Sequence, residues 1–185
     1  MHMLLRIVVR GKSEEEALTK ARIICERLLD RGKLDYYTFF DEDKPLAGKN
    51  RWGDLPPAIP YETRLGKKLI KNGLKATWKE FHQGYKELKR LLKQYTAREL
   101  FEGKVLSEKN LARQVIYKIA NKTMEEDFYM IDYYLDQIKR DVPFAWVIGE
   151  DGYPIRCQRE LEFLMKTWKL SSGEEWWVVP VDIHY

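Results

Sequence analysis

Apolar and polar residues alternate from Leu4 to Arg10. Leu5, Ile7 and Val9 lie on one side, and Arg6 and Arg10 share the other with Leu4 and Val8. A period of two marks a half-buried strand whose odd residues face a core. The period then lengthens. Ser13 followed by Glu16 is a capping box, and Ala17, Ala21, Ile24 and Leu28 recur at helical spacing before Gly32, which is placed to end the helix. The aromatic run Leu34–Phe40 reads as a second strand. The far end repeats the order: the short apolar run 144–148, an amphipathic stretch at Arg156–Lys169, then Trp176–Tyr185. In that last run Trp177, Val179, Val181 and Ile183 share one face. Trp176, Val178, Pro180, Asp182 and His184 share the other.

Two β-α-β units at the ends predict an α+β fold. The expected form is a split β-α-β, ferredoxin-like, four-stranded antiparallel sheet with both helices on one face and a large helical insertion. Residues 1–42 and 143–185 would form the sheet domain, and 43–142 a loop plus an inserted helical subdomain. Pro180 has no N–H to give to a ladder, which assigns the last strand to a sheet edge beside the first. Asp182 then lies near Arg6 on the second face, with Arg10, Tyr37, Phe39, Trp176 and His184. An open face of this kind could stack and clamp RNA. Inserted helices covering it is the simpler expectation.

The connection 41–60 carries Pro45, Pro56, Pro57 and Pro60, which exclude regular structure through most of it. Beyond it Leu74, Trp78, Phe81, Tyr85, Leu88, Leu92 and Tyr95 are spaced alternately four and three, a heptad stripe. The stripe predicts burial within the subunit, or a homodimer seam along Leu74–Tyr95. Further helices are expected from Ser107 and from the Thr123/Glu126 capping box, ending at Pro143.

Charge changes the picture more than composition does. The net charge is +4, but residues 1–60 carry 11 basic and 10 acidic groups, 61–120 carry 15 and 6, and 121–185 carry 7 and 13. Opposite the apolar stripe, Lys71, Lys75, Lys79, Lys86 and Lys93 form an expected outward ridge. Clustered cations are what phosphate contact needs. The leading expectation is a non-catalytic binding protein with nucleic acid as the ligand class. An alternative is a small-molecule enzyme with acid–base groups drawn from Asp41, Asp43, Asp54, Asp182 and His184, near the 41–60 loop. A structural homodimer is the third reading.

Cys25 and Cys157 have no CxxC spacing and read as two buried thiols. No serine sits in a nucleophile elbow, and no metal or cofactor motif is present. The N-terminal apolar run is short and broken by Arg6 and Arg10, and no stretch approaches the roughly 20 apolar residues of a membrane span. A cytoplasmic protein is expected. Abundant Lys and Glu, with only 9 Asn plus Gln and 4 Ser, is a hyperthermophile-type composition. The ending WWVVPVDIHY (Trp176–Tyr185) and the Trp52-Gly53-Asp54 segment resemble uncharacterised archaeal conserved proteins. That resemblance implies no activity.

Overall fold

The structure, a computed structural model, describes residues 2–41, 49–93, 98 and 146–184. The chain divides into two compact units: Met1–Lys79 with Asp141–Tyr185, and Glu80–Arg140. The expected helices from Ser107 and Thr123 lie outside the described residues, as do Asp43 and Tyr95.

The first unit is α+β and is built on one mixed sheet of five strands. β1 (His2–Gly11) leads to α1 (Glu14–Asp30), β2 (Tyr36–Phe39), the single turn α2 (Lys49–Trp52) and β3 (Ile59–Pro60). α3 (Arg64–Leu92) starts in this unit and passes the division after Lys79. β4 (Val147–Gly149), α4 (Gln158–Thr167) and β5 (Glu175–His184) complete it. The sequence signals at the first helix hold: Ser13 Oγ accepts from the Glu16 N–H at 3.2 Å, and the Glu16 carboxylate accepts from the Lys12 N–H at 2.9 Å. Gly32 ends the helix at φ +64, a conformation open to glycine at little steric cost.

The four-stranded antiparallel ferredoxin-like sheet is not what forms. The order is β2-β5-β1-β4, with β3 beside β5. β5 runs antiparallel to β1, β2 and β3, whereas β4 runs parallel to β1. β1-α1-β2 is therefore a split β-α-β unit, with β5 filling the gap between its two parallel strands. β4 and β5 are antiparallel across β1, so the C-terminal half is not a second such unit.

Pro180 does not put β5 at an edge. It faces Arg6 of β1 in the register, and the Arg6 N–H donates to the Trp146 carbonyl on the β4 side. Arg6 and Pro180 are thus a non-hydrogen-bonded pair, and the Pro180 nitrogen points away from β1. On that side β2 pairs with residues 181–184 and β3 with 177–178. The proline nitrogen falls in the gap between two short strands, where no ladder bond is lost.

The two faces are covered by different helices. Met3, Leu5, Ile7 and Val9 pack with Val179, Val181, Ile183 and the α1 stripe Ala17, Ala21, Ile24, Cys25 and Leu28. Phe39 belongs to this core and Tyr37 packs against it, so these two lie on the α1 face and not on the second face as expected. On the second face Val8, Val147, Trp176 and Val178 meet Leu69 and Ile70 of α3 and Leu161 of α4. The crossover helices thus lie on opposite faces, another departure from the ferredoxin-like arrangement.

The heptad stripe does not mark the buried side of α3. Trp78 is 60% exposed, Tyr85 46% and Leu92 41%; Leu88 is buried, and Leu74 and Phe81 are half-buried. Within the first unit the buried positions are Gly66, Leu69, Ile70, Gly73 and Thr77. The reason is backbone proximity. A Cβ at Gly73 would lie 2.6 Å from Val147 Cγ2 and 2.9 Å from Arg6 Cδ, and one at Gly66 would lie 2.5 Å from the Pro60 carbonyl oxygen. Small residues let the helix sit close on the sheet, and that contact line is rotated away from the large apolar side chains. In the second unit the described residues are 80–93 and 98, and there Leu88 and Leu91 are buried. Cys25 is buried, but Cys157 is exposed, correcting the expectation of two buried thiols.

Candidate functional site

Thr63 caps α3, its Oγ1 accepting from the Gly66 N–H at 3.0 Å. From that cap the helix carries Arg64, Lys67, Lys68, Lys71, Lys75 and Lys79 before its first acidic residue, Glu80. At 100° per residue Arg64, Lys68, Lys71, Lys75 and Lys79 fall within an arc of about 80° and a length of about 22 Å. The buried line through Gly66, Ile70, Gly73 and Thr77 is on the opposite side. All five cations are exposed, and none has a carboxylate within 4.0 Å among the described residues. Lys67, beside the arc, is paired with Glu62 at 2.6 Å, which raises its pKa through that hydrogen bond.

The arc works against the helix that bears it. Like charges three and four residues apart repel by a few tenths of a kcal/mol per pair. Arg64 and Lys68 also stand in the first turn or so, where the macrodipole already favours anions. Clustered cations of one sign concentrate positive potential on the face that carries them. Of the five expected ridge lysines, Lys71, Lys75 and Lys79 belong to this arc. Lys86 and Lys93 belong to the second unit, where both are exposed.

The expected acid–histidine group is placed differently. Asp182 is fully buried on β5, across from Leu4 of β1 and Thr38 of β2. Its Oδ1 accepts from Trp52 Nε1 at 3.0 Å and lies 3.3 Å from His2 Nδ1, while Oδ2 has no hydrogen-bond partner among the described residues. His184 is the next residue on the same face, and it pairs with Asp35 at 2.8 Å and stacks on Tyr36. The two histidines face each other across β1 and β5, ring centroids 5.1 Å apart. Asp41 is instead engaged with Arg22 of α1 at 2.7 Å, and Asp54 is exposed. Asp182 and His184 share a face; Asp41 does not join them. Among the described residues no group of three His, Cys, Asp or Glu is arranged to hold a metal ion.

Arg6 and Asp182 are neighbours on one face without forming an ion pair. Arg6 Nη1 donates to the Leu4 carbonyl, its guanidinium lies 5.6 Å from the Trp146 ring centre, and Nε has no hydrogen-bond partner among the described residues. Burial lowers its pKa to about 10. Trp52, Trp146, Thr38 and His2, which complete this polar cluster, had no sequence pattern of their own. One signal was present: the two segments that carry the resemblance, Trp52-Gly53-Asp54 and WWVVPVDIHY, meet in the Trp52–Asp182 hydrogen bond. The cluster ties the 49–60 connection to the end of β5.

Among the described residues no helix is long and apolar enough to cross a membrane. No curated protein and no solved structure matches the chain. A family of domains of unknown function, DUF7995, matches residues 1–153. The matched segment contains the α3 cations, whereas Asp182 and His184 lie beyond it. Because the match extends over most of the 185 residues, the chain belongs to the DUF7995 family.

Proposed function

We propose that the protein binds nucleic-acid phosphates through the exposed face of α3 in its first unit. The observation that carries this reading is the arc of Arg64, Lys68, Lys71, Lys75 and Lys79, with no carboxylate partner among the described residues. Phosphate recognition asks for clustered, accessible cations and little else. The enzyme reading has less support, because Asp182 is sealed in the sheet and Asp41 is held by Arg22.

Self-association through Tyr85 and Leu92 in the second unit is the second reading, favoured by their exposure. Lys86 and Lys89 flank those residues, so two copies facing each other would oppose like charges. Sedimentation at low and high salt separates the readings: a dimer that strengthens as salt rises supports the seam, and a monomer at both leaves the phosphate reading.

The direct test is charge reversal. A Lys68→Glu, Lys71→Glu, Lys75→Glu variant keeps its circular dichroism spectrum, because all three positions are exposed. It should lose duplex and single-strand binding in fluorescence anisotropy at low salt. Undiminished binding would overturn the proposal.

A further inference from the structure

Three buried side-chain atoms have no hydrogen-bond partner among the described residues: Arg6 Nε, Trp146 Nε1 and Asp182 Oδ2. All three belong to one cluster. Arg6 and Asp182 stand on adjacent strands and on one face, two positions apart, since Arg6 opposes Pro180 and Asp182 opposes Leu4. The Arg6 guanidinium lies against Trp146, Trp146 meets Trp52 edge-on at 6.4 Å between ring centres, and Trp52 Nε1 donates to Asp182 Oδ1. Helix α3 fixes the arrangement from above: Thr77 Oγ1 accepts from the Trp146 backbone N–H at 2.9 Å, and Gly73 lies directly on Arg6. Arg6 is 6% exposed and Asp182 fully buried. A bond left unmade by such groups costs their desolvation, so a concentration of them in one place calls for a cause.

The three atoms define what would complete them. Two N–H groups ask for acceptors, and one carboxylate oxygen asks for a donor. Asp182 opposes an anion and Arg6 opposes a cation, which leaves a neutral molecule. The walls are flat, two indoles and a guanidinium, and suit a planar ring. We infer that the cluster binds the lactam edge of a nucleobase, a ring N–H beside a carbonyl, as in uracil and guanine. The ring N–H donates to Asp182 Oδ2, and acceptors of the base take Arg6 Nε and Trp146 Nε1. Adenine and cytosine carry no ring N–H on that edge and fail at the carboxylate. Trp52, Trp146 and His2 are half-buried, so the cluster borders solvent on the side they form. Trp52 stands on the single turn α2, and the base reaches Oδ2 as that indole turns aside. The site needs no phosphate, so it goes beyond the α3 reading and does not rest on it.

The experiment titrates the full chain, labelled with nitrogen-15, with uridine, guanosine, adenosine and cytidine, none of which carries a phosphate. The 6 tryptophans give one indole N–H signal each, and Trp146→Phe and Trp52→Phe identify the two in the cluster. Uridine, guanosine or both should move the Trp146 signal downfield and saturably, as its N–H gains an acceptor. Adenosine and cytidine should leave it in place. Comparing uridine with guanosine separates the two sources of the edge. Asp182→Asn keeps an oxygen for Trp52 but turns amide N–H groups toward the donor of the base, and should weaken binding by roughly tenfold or more. Trp146→Phe keeps a ring and removes one donor; read at the Trp52 signal, it should weaken binding less. The Lys68→Glu, Lys71→Glu, Lys75→Glu variant should bind nucleosides as wild type does. No shift with any nucleoside, the same shift with all of them, or full affinity in Asp182→Asn would overturn the site. None of these results touches the phosphate reading, which stands or falls on oligonucleotide binding.

Discussion

Substituting Gly73 with Ala should destabilise the protein, although the helix-propensity scale says the reverse. In an open helix interior the change gains about 0.8–1 kcal/mol, because glycine loses more backbone freedom on folding. Here the new methyl would lie 2.6 Å from Val147 Cγ2, 2.9 Å from Arg6 Cδ and 3.3 Å from Arg6 Nε. Neither neighbour can retreat cheaply. Val147 is paired with Arg6 in the sheet, and Arg6 is buried with its guanidinium against Trp146. Relieving the contact means lifting α3 from the sheet or tilting β4, and overpacking of this kind costs about 1–3 kcal/mol. The net expectation is a loss of about 1 kcal/mol. Asn72→Ala, one residue earlier and exposed, receives the propensity gain of about 0.5 kcal/mol without the clash. Urea unfolding followed by circular dichroism measures both. Val147→Ala in the Gly73→Ala background should recover part of the loss, since it removes the contacting methyl. A Gly73→Ala protein as stable as Asn72→Ala would refute the claim that close backbone approach sets the packing of this helix.

Removing the Asp182 carboxylate with Asp182→Ala leaves Trp52 Nε1 without its acceptor and should cost about 1–3 kcal/mol, read in a thermal melt. Asp182→Asn, which retains an oxygen for that bond, should cost less, and equal losses would argue against the hydrogen bond as the cause. The two thiols should differ in reactivity toward a disulfide reagent at neutral pH. Cys157 is exposed, whereas burial raises the Cys25 pKa and withholds its thiolate. Native protein should titrate one thiol rapidly and unfolded protein two; two fast thiols in the native state would contradict the burial of α1 against the sheet.

The first strand, its capped helix and the long last strand were legible in the sequence because each is set by a local period: two for Leu5, Ile7 and Val9, 3.6 for Ala17, Ala21 and Ile24. Strand order was not, because it depends on partners far apart in the chain. Pro180 looked like an edge marker, but its nitrogen meets a gap between β2 and β3 that no single strand reveals. A hydrophobic stripe counts large side chains and so points to the wrong side of α3. The real contact runs through Gly66, Gly73 and Thr77, which a hydrophobicity pattern passes over. The lysines Lys71, Lys75 and Lys79 were legible as an exposed row, since charge clustering is a property of one helix. Arg64 and Lys68 joined them only when the buried side of the helix was fixed. The same stripe predicts Trp78 buried within the subunit or at a homodimer seam, whereas it is 60% exposed in the single chain.

The central claim is that the α3 face engages phosphates, and its most direct test is the salt dependence of binding to a labelled single strand. Counterion release predicts a straight line of log K against log salt, with a slope of about −0.7 for each phosphate engaged on a single strand. Contacts from Lys71, Lys75 and Lys79 together predict a slope near −2 or steeper, and replacing Lys71 and Lys75 with Gln should make it shallower by about 1.4 units. A slope unchanged by the two replacements, or the absence of binding at low salt, would contradict the account.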